Sequence, residues 1–311
     1  MGEVATTELT THFLNEALEA CLLAGPLHID FEIGLSYFAV YQNDLLLREK
    51  GFSVFEIGLA ERRKAVAACM ISPISAGFES IADAGLLRNG KLTAPGSIAH
   101  LKLSGFMRAD SGLSNPGAGQ LVNDLRAAYS NQNVGSVILE VDSGGGETVA
   151  GDMIRNAVSE ANKPVLVYGW TVGSAAYNAS SPANEIIASS PSARFGSLGA
   201  MYPVNKLLLE VLKASTVNII GETAPNKNAA FQKALDGDYS GVQQEANLFT
   251  VDFQNSVRKL RPLKGSEEKI KNTLSGGMFF ANEAKAIGLA DSIGNFNFAI
   301  SRAKRWEKMS K

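Results

Sequence analysis

The sequence predicts an α/β fold whose main domain is a mostly parallel sheet, preceded by a smaller helical or mixed region. Three observations predict it. From Ala94 onward, short β-branched runs alternate with amphipathic helical stretches, the signature of successive βαβ units. Two of those runs, "VGSVILEVDS" and "PVLVYG", are apolar along most of their length rather than alternating, as in strands covered on both faces. Gly, Pro and Ser cluster in "RNGKLTAPGSIAH", which marks a boundary ahead of the alternating part.

The 311 residues suffice for one large domain and a smaller one. Residues 1–93 carry helical periodicity at Phe13, Ala17, Leu18 and Cys21 and a charged helix-like run, "LAERRKAVAACMI", but no readable motif. Residues 94–300 form the main domain, and 301–311 read as a basic C-terminal tail. Within the main domain "SIAHLKLSG" is a strand and "AGQLVNDLRAAYS" a helix with Leu121, Leu125 and Ala128 on one face. "VGSVILEVDS" is the next strand. "TVAGDMIRNAVSEANKP" is a helix with Ala150, Ile154, Ala157, Val158 and Ala161 at helical spacing, stopped by Pro164. "PVLVYG" is the third strand. "NEIIASS" and "ARFGSLGAMYP" read as short strands around a turn, "VNKLLLEVLKAS" as a helix, and "TVNIIG" as another buried strand. "GVQQEANLFTVDFQNSVRKL" is a long amphipathic helix, "GSEEKIKNTLSGG" a shorter one, and "FFANEAKAIGLADSIG" a helix with a glycine stop.

Composition narrows the function. A net charge of -2 supplies no electrostatic footprint for nucleic acid or an anionic membrane. Cys21 and Cys69 lie far apart without metal-ligand spacing, so neither a zinc site nor a disulfide framework is indicated and a reducing cytoplasm fits. The acidic N-terminus does not resemble a signal peptide, and no apolar run approaches the ~20 residues of a membrane span.

Two stretches carry potential chemistry. In "VDSGGGETVAG", three glycines between a strand and a helix allow backbone torsions closed to other residues and bring bare N–H groups to a helix start. Such a loop holds an oxyanion or a phosphate, or is only a flexible turn. It lacks the spacing of a P-loop or a dinucleotide fingerprint. In "VYGWTVGSAAYNASS", Ser174 follows a strand and opens a helix of small residues. That geometry displays a nucleophile with the Ala175 N–H aimed at an oxyanion hole, or else Ser174 is a helix cap. Val172 and Ala176 stand where a Gly-x-Ser-x-Gly elbow has glycine.

A nucleophilic serine needs a base. His12, His28 and His100 all precede both glycine-rich stretches, and His100 shares a strand face with Lys102 that reads as solvated. A serine–lysine dyad is the remaining common solution. A lysine base must be unprotonated near neutral pH, which means lowering a solution pKa of about 10.4 to about 7 or 8 by burial. Downstream candidates are Lys206 and Lys213 on a surface helix, Lys227 in a loop directly after "TVNIIG", and Lys233.

Taken together and in order, "DSGGGETVAG", "KPVLVYG", "GSAAYNASSPANEIIAS", "FGSLGA" and "ANEAKAIGLADSIG" resemble the S49 serine peptidases, the family of signal peptide peptidase A and of phage capsid-maturation proteases. The resemblance covers residues from about 97 to 298 and implies a ClpP/crotonase-like fold of repeated ββα units that assembles into homo-oligomers. It makes Ser174 the nucleophile and Lys227 the general base, with the Gly146 and Ala175 N–H groups as oxyanion hole and Gly145 and Gly173 beside the substrate. Gly144 replaces the usual proline, and "TAPNKNAAFQ" departs from the commoner Gly-x-x-Lys loop. No metal, nucleotide or other cofactor is implied. The expected partners are polypeptides, and the favoured member is a prohead protease acting on scaffold and capsid proteins in the host cytoplasm or immature virion. The alternatives are a cellular signal-peptide-peptidase-like protease without a membrane anchor, a crotonase-like acyl-CoA enzyme using Asp142 and Glu147, and a non-catalytic assembly protein.

Overall fold

The computed structural model describes residues 95–109 and 117–310, together with the backbone of three short upstream strands, β1 (Leu27–His28), β2 (Glu79–Ala82) and β3 (Gly85–Leu87). The helical periodicity expected around Phe13–Cys21 and in "LAERRKAVAACMI" lies outside the described residues. Two compact units divide the chain: Met1–Leu27 with Ala200–Asp252, and His28–Gly199 with Phe253–Lys311.

The larger unit is built on a mixed, mainly parallel sheet. Its long strands are β4 (Ser97–Met107), β5 (Val134–Glu147) and β6 (Val165–Gly173), followed by β7 (Glu185–Ala188), β8 (Arg194–Gly196), β9 (Met278–Phe280) and β10 (Ser292–Ile293). The main path runs β10-β7-β6-β5-β4-β2-β3, with β8 beside β6 and β9 beside β8. Pairing is parallel from β4 to β7 and on to β10, and antiparallel at β2 and between β8 and β9. The chain is therefore an α/β protein with a mostly parallel sheet, as its alternation predicts.

Strand apolarity has a direct cause in the layering. One face carries Leu101, Leu103, Val137, Leu139, Val141 and Val167 and is covered by α1 (Gly117–Ser130), α2 (Thr148–Ser159) and α3 (Ala175–Ser180). The opposite face carries Ile98, Ile138, Leu166, Tyr168 and Ile187. Consecutive residues of β5 thus bury on opposite sides, which leaves no room for polar alternation.

The second face is covered by the C-terminal helix. Phe296–Met309 is one helix (labelled α9 below) that runs through the boundary expected at residue 300. Ala299 and Ala303, one turn apart, are fully buried, and Phe296, Ile300 and Trp306 pack beside them. The buried Glu185 of β7 fixes it: Arg302 Nε donates to both carboxylate oxygens (3.0 and 2.7 Å) and Trp306 Nε1 to one (2.9 Å). The expected basic tail is instead the second half of this helix, because one face of its basic sequence carries Ala303 and Trp306, which pack together against the sheet.

Residues 200–252 hold α4 (Lys206–Ser215), α5 (Ala229–Leu235) and the first part of α6 (Ser240–Leu260). "TVNIIG" does not form the expected buried strand. Val217 and Ile219 are 89% and 94% exposed, and no strand is assigned there. β-Branched residues favour a strand only where a neighbour supplies the ladder and the packing surface. In the larger unit α7 (Glu267–Thr273) and α8 (Ala281–Ile287) follow, α8 ending on left-handed Gly288 (φ 89°) as its sequence predicts. Among the described residues no helix is long and apolar enough to cross a membrane.

Candidate active site

β6 ends at Gly173, and Ser174 is the single residue between that strand and α3. Its N–H donates to Gly196 O of β8 at 2.8 Å, and its carbonyl accepts from Asn178 N at 3.0 Å to start the helix. These two bonds hold the backbone at φ 53°, ψ −123°. This lies outside the broad allowed regions for an L-residue and costs roughly 1–3 kcal/mol. Ser174 sits at the helix N-cap position, yet its hydroxyl makes no capping bond. The Oγ is fully buried without a hydrogen-bond partner, a further cost of about 1–3 kcal/mol for a buried polar group. Helix capping therefore does not explain this serine. A strained backbone and an unsatisfied hydroxyl on one residue are what a poised nucleophile looks like.

The triple-glycine segment runs beside it. Ser143 of β5 is in register with Val172 of β6, and one step on, Gly144 packs against Gly173. A Cβ added at Gly173 would stand 3.1 Å from Gly144 O and 3.3 Å from Gly144 Cα. Gly173 is buried, so its glycine serves the approach of two backbones. Gly145 adopts φ 110°, which favours glycine. A Cβ at Gly146 would fall 2.2 Å from Met107 O of β4. The Gly145 N–H donates to Ser143 Oγ at 3.1 Å, so the amide expected beside a substrate is engaged within its own turn. Ala175 is fully buried, with α2 pressed against it at Gly151, where a Cβ would stand 3.0 Å from Ala175 O. Ser174, Ala175, Gly173 and Gly144–Gly146 thus belong to one constellation within the larger unit.

The candidate bases belong to the other unit. Lys227 is exposed at the end of a turn rather than buried as a lysine base is expected to be, its N–H donating to Ala224 O at 3.0 Å, and left-handed Asn228 leads into α5. Lys213 is paired with Asp236 (2.6 Å), and Lys206 and Lys233 are exposed.

His100 departs from its expected place. It is buried under α9, its Nε2 2.8 Å from Glu140 Oε2 and its ring 4.9 Å from that of Phe296. The face it shares with Lys102 is covered over His100 by a helix nearly two hundred residues later. Trp170 Nε1 donates to the other oxygen of Glu140 at 3.2 Å. Hydrogen bonding from His100 and Trp170 outweighs burial and holds the Glu140 carboxyl below the ordinary carboxylate range.

Some residues of the site went unread in the sequence. Ser143 Oγ donates to Gly105 O at 2.6 Å as well as accepting from Gly145. Glu147 Oε2 accepts from Ala109 N at 2.7 Å, with Arg108 Nε 3.7 Å from its other oxygen. Asp142 is exposed. Of these two carboxylates, only Glu147 is bound to the exit of β4. Ser197, seen only as part of a turn, has φ 55° and directly follows the Gly196 carbonyl that orients Ser174. Tyr177 is fully buried and donates to Leu289 O at 2.9 Å, and Asn178 Nδ2 donates to Asp152 Oδ1 at 2.9 Å. Both anchor α3 rather than face a substrate.

The comparison with known proteins bears on the same segment. Residues 157–310 match the model of peptidase family S49, a span that contains both Ser174 and Lys227. Protease 4 of Salmonella typhi is 30% identical over 220 residues, covering 69% of this chain and 35% of that protein. The chain belongs to peptidase family S49. Protease 4 of Haemophilus influenzae, also 30% identical, matches over 223 residues, 68% of this chain and 35% of its own. This S49 chain therefore spans about a third of the length of these relatives. Among solved structures it is similar to a point mutant of ClpP1 from Listeria monocytogenes, at 18% identity and a TM-score of 0.40, covering 63% of this chain and 92% of that one.

Proposed function

We propose that this S49 chain is a serine endopeptidase of the cellular Protease 4 kind, acting on polypeptides through Ser174 and Lys227. The observation that carries the reading is Ser174 itself: strained, buried, its hydroxyl unpartnered, at a strand-to-helix junction packed on the glycine turn. The relatives by name are Protease 4 of two bacteria. They favour the cellular alternative, and the capsid-maturation reading preferred from the sequence gives way to it.

In the proposed reaction Ser174 Oγ attacks the scissile carbonyl carbon while the Lys227 amine takes its proton. The carbonyl oxygen becomes an oxyanion, stabilised by the N–H groups of Gly146 and Ala175. Collapse breaks the C–N bond, the lysine proton passes to the leaving amine, and water activated by the same amine hydrolyses the acyl-enzyme. Rigid backbone donors suit this task because they need no reorganisation as charge develops. The substrate would lie extended beside the glycine segment, backbone to backbone.

Casein turnover tests the dyad. Ser174→Ala and Lys227→Ala are expected to lose at least about a thousandfold in turnover, while Lys213→Ala and Lys233→Ala stay within about twofold of wild type. Full activity in Lys227→Ala, with loss in either of the other lysine variants, would reassign the base.

A further inference from the structure

We infer that Ser143 is a positioning residue for acyl transfer: its hydroxyl fixes the backbone of the glycine turn that presents the oxyanion donor. This rests on the peptidase reading above. Three successive glycines have the widest conformational freedom of any tripeptide, yet an oxyanion donor must be held to a fraction of an ångström. Something other than the glycines must hold them.

The sheet ladder does not do it alone. β5 loses simple register with both neighbours at this point, between Ser104 and Phe106 on the β4 side and between Val141 and Ser143 on the β6 side. Gly105, at the β4 irregularity, has φ 73°. The Ser143 side chain spans that gap. It is 2% exposed, donates to Gly105 O at 2.6 Å and accepts the Gly145 N–H at 3.1 Å. One hydroxyl thereby satisfies a carbonyl on β4 and an amide inside the turn, so the turn cannot shift without breaking a buried bond. Glu147 closes the other end of the three glycines by accepting the Ala109 N–H at 2.7 Å. Both clamps reach back to the exit of β4.

The test is the kinetics of fluorophosphonate labelling on the full chain, resolved into the binding constant KI and the chemical rate kinact. Ser136 supplies the control: it lies on the same strand, is fully buried, and its hydroxyl has no partner. Ser143→Ala is expected to lower kinact at least about tenfold with KI changed less than about twofold, while Ser136→Ala matches wild type on both. Ser143→Thr, which keeps the hydroxyl, recovers most of the rate. An unchanged kinact in Ser143→Ala, a change confined to KI, or an equal loss in Ser136→Ala overturns the inference. If Ser143→Ala does not fold, Ser143→Thr is compared with Ser143→Cys, a weak donor of similar size. At least fivefold faster labelling by threonine supports the clamp, and equal rates overturn it. A folded wild type that is not labelled at all overturns the peptidase reading itself, whereas a labelled wild type with an indifferent Ser143→Ala overturns this inference alone.

Discussion

Gly173 and Gly144 approach so closely that a Cβ on Gly173 would stand 3.1 Å from the Gly144 carbonyl oxygen. This contact joins the strand that leads into Ser174 to the strand that carries the glycine turn. Gly173→Ala should therefore push the two apart by a few tenths of an ångström. We expect a stability loss of about 1–3 kcal/mol, with activity falling more than tenfold. Urea denaturation alongside casein turnover checks both, and full activity in a folded Gly173→Ala would show that the spacing is not needed.

Gly146 is constrained more severely. Its added Cβ would meet Met107 O at 2.2 Å, a backbone atom that cannot swing aside. Gly146→Ala should fail to accumulate as folded protein or melt far below wild type, measured by circular dichroism. A melting point within a few degrees of wild type would mean that β4 yields there.

The C-terminal helix should prove integral to the fold. Glu185→Ala removes the shared acceptor of Arg302 and Trp306 and leaves a guanidinium beside the sheet without its carboxylate. Breaking such a largely buried pair costs on the order of 3 kcal/mol. Chemical denaturation of this variant, and of a chain ending at residue 300, should show comparable losses. A truncation as stable as wild type would restore the view of 301–311 as a tail.

Stability should also depend on pH through Glu140. Hydrogen bonds, that of His100 first, hold its carboxyl below the usual range. The stabilisation is therefore complete above the ordinary carboxylate pKa and is lost as pH falls through the depressed folded value. Urea midpoints measured between pH 7 and 3 should fall less steeply in Glu140→Gln than in wild type. Parallel curves would remove Glu140 from the acid limb.

Much of this was legible in the sequence, and the failures have physical causes. Continuous apolar runs exposed β5 and β6, and i, i+4 apolar spacing exposed α1 and α2, because both signals are local. The glycine turn and Ser174 stood out because small residues between a strand and a helix are costly unless something must approach closely. Burial of His100 was not legible, since the helix covering it begins at Phe296. "TVNIIG" carried strand propensity without a partner, and propensity by itself does not make a ladder. Ser143 was hidden for the opposite reason: a serine beside glycines reads as part of a turn, and only the position of Gly105 reveals what its hydroxyl holds.

The central claim is that the Ser174 hydroxyl is a nucleophile, and covalent capture tests it most directly. Wild-type protein treated with a fluorophosphonate and analysed by peptide mass mapping should carry one adduct on Ser174, absent from Ser174→Ala. A folded wild type that takes no adduct, or one that carries it on another serine, would contradict the account.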